Sequence, residues 1–390
     1  MTKGLVLAGG GARGAYQVGV KRALDELCFV PEVFTGTSVG CLNAGLFALG
    51  LDSVAESMWL QLSDKDIMVL PEKFWGGELI DFLHNLQVGG GLDVSPLEQT
   101  VRMLLDEDAL RRSGKKFGLI TVNKRTLKPL EVGLDEIPTG KLADYMMASA
   151  ACFPAIRPHT LEGEDYIDGG YYENMPIDLA ARLGANEIVA VNLDGIGFSR
   201  RPKAKGLKLR YVGSYWPLGT ILKFDPEVSR RNIALGYLDT YRAFGKLKGL
   251  AYSFRPAEYT ALLQTCGVRY QALVDSLAER HFAFDTVLAL PTAKGHGRPK
   301  NPQQALLYAL ETAAERLELD PTVVYTASEF CTALVDAFYI KNKNGFQFSA
   351  LICDEDEPSV LTLARALAST DQLQCELAVL AAAAQAPAIP

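Results

Sequence analysis

The residues Gly36-Thr37-Ser38-Val39-Gly40 constrain the fold of this chain more than any other stretch. A short β-prone run at 33–35 precedes them, and the nine residues after Gly40 have the apolar spacing of a helix. A G-x-S-x-G pattern between a strand and a helix is typical of a sharp turn that presents its serine hydroxyl in front of a helix N-terminus. The same letters also fit a tight glycine turn with an N-capping serine. The rest of the sequence has to distinguish these two interpretations.

A second glycine-rich loop follows the first predicted strand at residues 3–8, and a helix follows the loop. The loop contains Gly9, Gly10, Gly11, Arg13 and Gly14. Its spacing matches the G-x-G-x-x-G of dinucleotide-binding loops, but the required acidic residue would have to be Glu32, which precedes its strand instead of ending it. The alternative is a row of backbone N–H donors that faces the serine. Arg13 fits either a brace for this loop or a site for an anionic head group.

Composition excludes several classes of protein. The chain has 390 residues and a net charge of −7, which argues against general nucleic-acid binding. Its seven cysteines contain no C-x-x-C pair and indicate reduced thiols, as in a cytoplasm. We see neither a signal peptide nor an apolar run of about 20 residues that would span a bilayer. No His, Asp and Glu cluster has ligand spacing, so we expect no metal or other cofactor. These features predict a soluble cytoplasmic protein.

Strands alternate with helices over residues 4–193, which predicts an α/β layered fold. Further strands are predicted at 117–122, 129–132 and 187–193, the last one nearly continuously apolar, as expected of a parallel strand buried on both faces. Beyond residue 255 the pattern is helical with short polar joints. We therefore predict an α/β domain at 1–254 and a mainly helical region at 255–390.

The acidic residue with the clearest local sequence context is Asp168. It lies at the end of a predicted strand and is followed by Gly169 and Gly170. A carboxylate buried there has a raised pKa and can accept a proton from a serine hydroxyl. A histidine is the more usual base, but none of the four histidines lies in a motif. The four are His84, His159, His281 and His296. Asp168 is therefore the better candidate base.

Two further segments permit two interpretations each. Residues 197–224 contain seven Lys and Arg residues and no acid, interleaved with aromatic and aliphatic side chains. This composition suits docking on an anionic bilayer, and it equally suits a solvated basic loop. The apolar piece between Gly76 and Gly91 is flanked by glycines, as lids are, but it also fits an ordinary core helix.

Four motifs occur in an order that resembles the patatin-like phospholipase family. They are GGGARG after the first strand, GTSVG after the second, ASAACFPAIRP near residue 150, and DGG followed by ENMP. The resemblance implies a three-layer α/β/α fold with a central, mostly parallel sheet. It also implies a Ser38–Asp168 catalytic dyad and an oxyanion hole from the Gly9–Gly14 loop, chiefly the N–H groups of Gly10 and Gly11, beside the N–H of Val39.

The resemblance further implies hydrolysis of acyl esters in phospholipids or lysophospholipids. Phe153 and Pro154 belong to a stretch whose family counterpart lines the acyl pocket, and Cys152 in front of them departs from the family pattern, so the chain-length preference stays undefined. An acyltransferase or thioesterase using the same dyad is an alternative. A non-catalytic nucleotide- or lipid-binding module that keeps the turn as architecture is another.

Overall fold

The computed structural model describes residues 1–69, 91–264 and 317–343, and residues 307, 310, 311, 314 and 315 between them. The chain divides into two compact units, Met1–Ala243 and Phe244–Pro390. The sequence places the domain boundary after residue 254, and the first unit ends at Ala243. The predicted lid segment lies mostly at residues 70–90, outside the described residues.

A mixed eight-stranded sheet forms the centre of the first unit. Its strands are β1 (Lys3–Leu7), β2 (Val33–Gly36), β3 (Lys116–Asn123), β4 (Pro129–Gly133), β5 (His159–Leu161), β6 (Glu164–Asp168), β7 (Glu187–Val191) and β8 (Lys208–Val212). The order across the sheet is β5-β6-β3-β2-β1-β7-β8, and β4 also pairs with β3. Neighbouring strands run parallel across β3, β2, β1, β7 and β8. Strands β4, β5 and β6 join the sheet by antiparallel pairing. The prediction of a mostly parallel central sheet is confirmed.

Helices cover both faces of this sheet. They are α1 (Ala15–Glu26), α2 (Val39–Ala48), α3 (Asp52–Trp59), α4 (Asp64–Ile67), α5 (Ser95–Leu104), α6 (Glu107–Arg112), α7 (Leu142–Ser149), α8 (Ile177–Arg182) and α9 (Pro226–Ala243). Helix α8 packs on the face formed by Val6, Ala8 and Val33. Helix α2 packs against β1, β2 and β3. Because side chains alternate along a strand, Leu5 and Leu7 point away from the α8 face, and both are fully buried. Helices therefore flank a sheet that is apolar on both sides.

Strand β8 was not predicted, and it corrects the interpretation of residues 197–224 as a loop. It pairs in parallel with β7 at the edge of the sheet. Farther along, Leu218 is 5% exposed, and the Phe224 ring stacks on Trp59 with ring centroids 6.1 Å apart. The second half of the segment is thus part of the packed unit.

In the second unit, β9 (Ser253–Phe254) pairs in parallel with β10 (Val324–Tyr325), and α10 (Ala327–Lys343) follows. The rings of Tyr252, Phe254, Tyr325 and Phe330 pack together, and the closest ring centroids are 5.0 Å apart. Aromatic contacts of this geometry form the core of the described part of this unit. A helix is present there, as the sequence predicts.

Candidate active site

Ser38 occupies a sharp turn between β2 and α2. Its backbone has φ +56° and ψ −133°, a conformation that non-glycine residues rarely adopt. The turn needs glycine on both sides. A Cβ on Gly36 would lie 2.3 Å from the Gly40 carbonyl carbon, and one on Gly40 would lie 2.1 Å from the Leu7 oxygen. The G-x-S-x-G spacing therefore reflects two close backbone approaches around one strained serine.

Asp168 ends β6, paired with Thr121 of β3, and is only 6% exposed. Its carboxylate accepts a hydrogen bond from the backbone N–H of Gly170 (2.7 Å). Burial raises the pKa of Asp168 to about 6, although the nearby Ser38 side chain and the Gly170 N–H lower it. The structure thus brings together the predicted serine and carboxylate, with the carboxylate's pKa near neutrality.

Gly9 lies directly against the serine. A Cβ on Gly9 would come within 2.9 Å of the Ser38 Cβ. The Gly9 N–H donates to the Asn174 backbone oxygen (3.3 Å) and to its Oδ1 (3.1 Å). The Gly9 N–H is therefore already hydrogen-bonded and is not a free donor. Gly9 instead provides space for the serine.

The N–H groups of Gly10, Gly11 and Val39 have no acceptor among the described residues. Gly11 has φ +54°, and a Cβ there would lie 2.2 Å from the Ile221 oxygen. Val39 opens α2, so its N–H adds to the partial positive charge of the helix N-terminus. Three backbone donors therefore remain available on the two loops that flank the serine.

Arg13 and Gly14 hold the glycine loop in place. The Arg13 guanidinium donates to the backbone oxygens of Gly219 (2.8 Å), Leu193 (3.2 Å) and Asp194. A Cβ on Gly14 would lie 2.7 Å from both the Trp59 ring and the Val39 side chain. These contacts favour Arg13 as a brace for the loop over Arg13 as a site for an anionic head group.

Phe153 and Pro154 are joined by a cis peptide bond. The Phe153 ring packs under Lys124, with the ammonium 4.7 Å from the ring centroid, and the Phe153 oxygen accepts from the Tyr171 hydroxyl. Neither Phe153 nor Pro154 lines the apolar cavity described below. The preceding Cys152 is a free thiol whose pKa is raised to about 12, mainly by burial, which makes it a poor nucleophile.

An apolar cavity begins at Gly11 and Val39 and extends between α2, α3, α4, α5 and α7. Its other lining residues are Leu42, Asn43, Leu46, Met58, Trp59, Leu62, Asp66, Ile67, Met68, Leu97, Thr100, Val101, Leu104, Leu105, Met146, Ile156, Leu222 and Phe224. Because Gly11 and Val39 are also free donors, the cavity opens beside the groups that can hold an oxyanion. A hydrocarbon chain attached to a bound carbonyl group fits such a cavity chemically.

Sequence reasoning missed two residues that position the site. The fully buried Ser149 of α7 accepts from the Ser38 backbone N–H (3.1 Å) and donates to the Ile120 oxygen (2.7 Å). Asn174 holds Gly9 from both sides, because its Nδ2 also donates to the Gly9 oxygen (3.3 Å). Both lie inside the quoted motifs ASAACFP and ENMP, which were the only sequence signal for them.

A third missed residue is Asn43, which is 1% exposed and connects three helical segments. Its Nδ2 donates to the Gly14 oxygen (3.0 Å) and to Gln17 Oε1 (2.9 Å), and its Oδ1 accepts from Trp59 Nε1 (3.1 Å). A buried network in which every member is satisfied fixes the geometry of the groups that it joins. It holds α2, which carries Val39, against the glycine loop.

The one histidine in the described residues, His159, lies on β5 with its Nε2 3.8 Å from Asp144 Oδ1. His84, His281 and His296 lie outside the described residues. Within the described part of the chain, no three His, Cys, Asp or Glu side chains are grouped as metal ligands would be. No described helix combines the length and apolar character needed to cross a bilayer.

Comparison with known proteins adds to this geometry. The patatin-like phospholipase family model matches residues 5–181. Lysophospholipase NTE1 of Mycosarcoma maydis is 27% identical over 279 residues, which cover 66% of this chain and 13% of that protein. Patatin-like phospholipase domain-containing protein 7 of Rattus norvegicus is 26% identical over 197 residues, 48% of this chain and 13% of its own length.

The chain thus spans a small fraction of these curated relatives. Among solved structures, VipD from Legionella pneumophila aligns over 98% of this chain and 91% of its own with 14% identity, but the TM-score of 0.38 is too low to support an argument. The similarity to this family depends on the sequence match, which covers the Ser38 turn, Asp168 and the glycine loop. Over residues 5–181 this chain is similar to the patatin-like phospholipases.

Proposed function

We propose that this protein is a serine lipid acyl hydrolase that cleaves fatty acyl esters of phospholipids or lysophospholipids. The observation that supports this function best is the buried Asp168 carboxylate, whose pKa responds to the nearby side chain of the strained Ser38, beside free amides and an apolar cavity. The named relatives include a lysophospholipase, which agrees with this substrate class.

In the first half of the reaction, the acyl chain lies in the apolar cavity and the ester carbonyl faces the free N–H groups of Gly10, Gly11 and Val39. Ser38 Oγ attacks the carbonyl carbon while its proton moves to Asp168. The three amides stabilise the oxyanion, and removal of one such donor typically costs on the order of 100- to 1000-fold in rate. The intermediate then expels the alcohol portion of the lipid, which takes the proton from Asp168.

In the second half, water gives a proton to the same carboxylate and attacks the acyl-enzyme. Collapse of the second intermediate releases the fatty acid and returns the proton to Ser38. In this scheme Gly9, Gly14 and Arg13 shape the loop, while Phe153 and Pro154 lie outside the lining of the cavity and act only indirectly. No cofactor takes part in the steps proposed.

The test is a set of three substitutions assayed on a p-nitrophenyl acyl ester. We expect Ser38→Ala to leave no activity above background and Asp168→Asn to lower kcat by roughly 1000- to 10,000-fold. His159→Ala should retain most of the activity, because its imidazole faces Asp144. Activity in a folded Ser38→Ala protein, or its loss in His159→Ala, would contradict the dyad.

A fluorophosphonate probe separates this function from a non-catalytic binding module, because only an activated serine reacts with it. Product analysis with an added alcohol or thiol acceptor distinguishes hydrolysis from acyl transfer. A cytoplasmic location is also a proposal, supported by the free thiols of the four cysteines in the described residues. Contact of residues 197–224 with an anionic membrane is likewise a proposal, supported by their positive charge.

A further inference from the structure

We propose that Tyr171, Ile196 and Phe198 form a docking lip that inserts into the surface of an anionic bilayer and so holds the Ser38 site against its lipid substrate. The purpose of this docking rests on the proposed function. The docking itself is independent of catalysis and can be measured without it.

The lip consists of three large apolar side chains that point into solvent. Ile196 is 84% exposed, Phe198 64% and Tyr171 45%. Isolated exposed hydrophobic residues are common on soluble proteins and need no explanation. These three side chains are not isolated, because they lie on two adjoining loops. Leu193, in the same stretch of chain as Ile196 and Phe198, is by contrast fully buried.

The lip is bonded to both loops that build the site. The Phe198 N–H donates to the Gly170 oxygen (2.9 Å), and the Asn174 N–H donates to the Phe198 oxygen (2.6 Å). Gly170 is the residue whose N–H binds Asp168, and Asn174 is the residue that holds Gly9. A surface that binds through Ile196 and Phe198 therefore lies beside the dyad and the glycine loop.

On the other side, residues 194–195 approach the glycine loop directly. A Cβ on Gly195 would lie 2.2 Å from the Gly9 oxygen, so the two backbones are in contact. The Asp194 backbone oxygen accepts from the Arg13 guanidinium. Insertion of the lip would thus bring the bilayer to the loop that supplies the oxyanion donors.

The charge next to the lip selects an anionic surface. Residues 200–210 contain six Lys and Arg residues and no acid, in a chain with a net charge of −7. Three of the six are held locally: the Arg200 guanidinium stacks 3.9 Å over Tyr172, Lys208 pairs with Glu187 (2.5 Å), and the Arg210 guanidinium donates to the Ala243 oxygen. The exposed Arg201, Lys203 and Lys205 form no ion pair with any described residue.

Two nearby acids bind the backbone of this segment and form no ion pair with Lys203 or Lys205. Glu173 accepts from the Arg200 backbone N–H (3.1 Å), and Asp178 accepts from the Lys203 backbone N–H (2.9 Å). Their carboxylates therefore order the backbone of the segment and leave the cationic side chains of Lys203 and Lys205 free. Apolar side chains flanked by free cations match the chemistry of an anionic lipid surface.

The experiment uses the full chain with Ser38→Ala, so that no substrate is consumed, and co-sedimentation with vesicles. One set of vesicles is phosphatidylcholine alone, and the other contains phosphatidylglycerol as well. We expect binding to the anionic vesicles that weakens as salt is raised. Ile196→Ser combined with Phe198→Ser should weaken it by at least tenfold. The matched control, Val30→Ser with Met103→Ser, replaces side chains that are 57% and 77% exposed elsewhere and should bind like the parent.

A second double substitution tests the contribution of positive charge to vesicle binding. Lys203→Gln with Lys205→Gln should weaken binding to anionic vesicles by roughly tenfold or more and leave binding to phosphatidylcholine unchanged. Arg112→Gln with Lys116→Gln removes the same charge at the start of β3, at the opposite end of the parallel strands from Ser38, and should have no effect.

Absence of vesicle binding by the Ser38→Ala protein would overturn the proposal, as would undiminished binding by the lip variant. A parent that dimerises without lipid and becomes monomeric in the lip variant would assign the surface to a second copy of this chain instead. If the catalytic dyad is wrong but these results hold, only the proposed function fails.

Discussion

The strained backbone of Ser38 is held by a hydroxyl from another helix. Ser149 Oγ accepts a hydrogen bond from the Ser38 N–H and donates one to the Ile120 oxygen, which ties the turn to β3. A serine with φ +56° needs such support, because its conformation costs on the order of 1–3 kcal/mol. Ser149 is therefore a positioning residue, which acts through Ser38 and does not itself touch the substrate.

We predict that Ser149→Ala lowers kcat by roughly 10- to 100-fold, because it leaves one buried N–H and one buried C=O without partners. The fluorophosphonate labelling rate should fall in parallel, while KM changes little. The matched control is Thr240→Val, which removes a buried hydroxyl that donates to the Gly236 oxygen (2.7 Å) in α9. Equal losses of activity in the two variants would indicate a general effect of destabilisation.

The catalytic candidates were predictable from sequence because their chemistry is tied to local pattern. The glycines around Ser38 and Gly169 after Asp168 are required by close backbone contacts, so they appear as motifs. Ser149 and Asn174 could not be assigned roles from sequence. Their roles depend on hydrogen bonds with N–H groups of Ser38 and Gly9, which are distant in sequence. Gly9 was predicted as a donor for the oxyanion hole, and only the structure shows that Asn174 already occupies its N–H.

At the scale of elements, the apolar runs of β1, β2, β3 and β7 predicted the centre of the sheet, because strands buried on both faces are apolar throughout. The edge strand β8 was missed, since it carries Lys208 and Arg210 and pairs with a neighbouring strand on one side only. The cavity was also beyond sequence reasoning. Its lining comes from five helices that no local pattern brings together.

Helix α5 offers a direct test of what this cavity holds. Leu104 lines it, whereas the adjacent Met103 is 77% exposed and does not. We predict that Leu104→Trp fills part of the cavity and lowers the ratio of kcat/KM for ten-carbon over four-carbon p-nitrophenyl esters by at least tenfold. One lost methylene contact is worth roughly 0.8 kcal/mol, so several lost contacts produce such a change.

The control for this prediction is Met103→Trp, which adds the same ring on the outer side of the same helix. Its ratio of the two esters should equal that of the unmodified protein. A Leu104→Trp variant with an unchanged ratio would show that the acyl chain lies elsewhere.

For the whole molecule, the dyad links activity and stability through a single proton. Asp168 has a folded-state pKa of about 6 against an ordinary value of 3.8, because it is buried. The folded state therefore binds this proton more tightly than the unfolded state does. The resulting stabilisation is fully present below about pH 4 and is lost as pH rises through 6, in total about 3 kcal/mol. Activity should change in the opposite direction, because only the ionised carboxylate accepts the Ser38 proton.

We therefore predict that kcat/KM rises with pH and is half-maximal near pH 6, while the unfolding free energy of the unmodified protein falls relative to that of Asp168→Asn over pH 4 to 7. Asparagine keeps an oxygen for the Gly170 N–H but carries no charge to desolvate, so the inactive variant should be the more stable protein at pH 8. Urea unfolding of both proteins across this range gives the difference, and subtraction removes the titration of all other groups. If the two curves run parallel, the carboxylate keeps its ordinary pKa, and a buried Asp168 base would have to be abandoned.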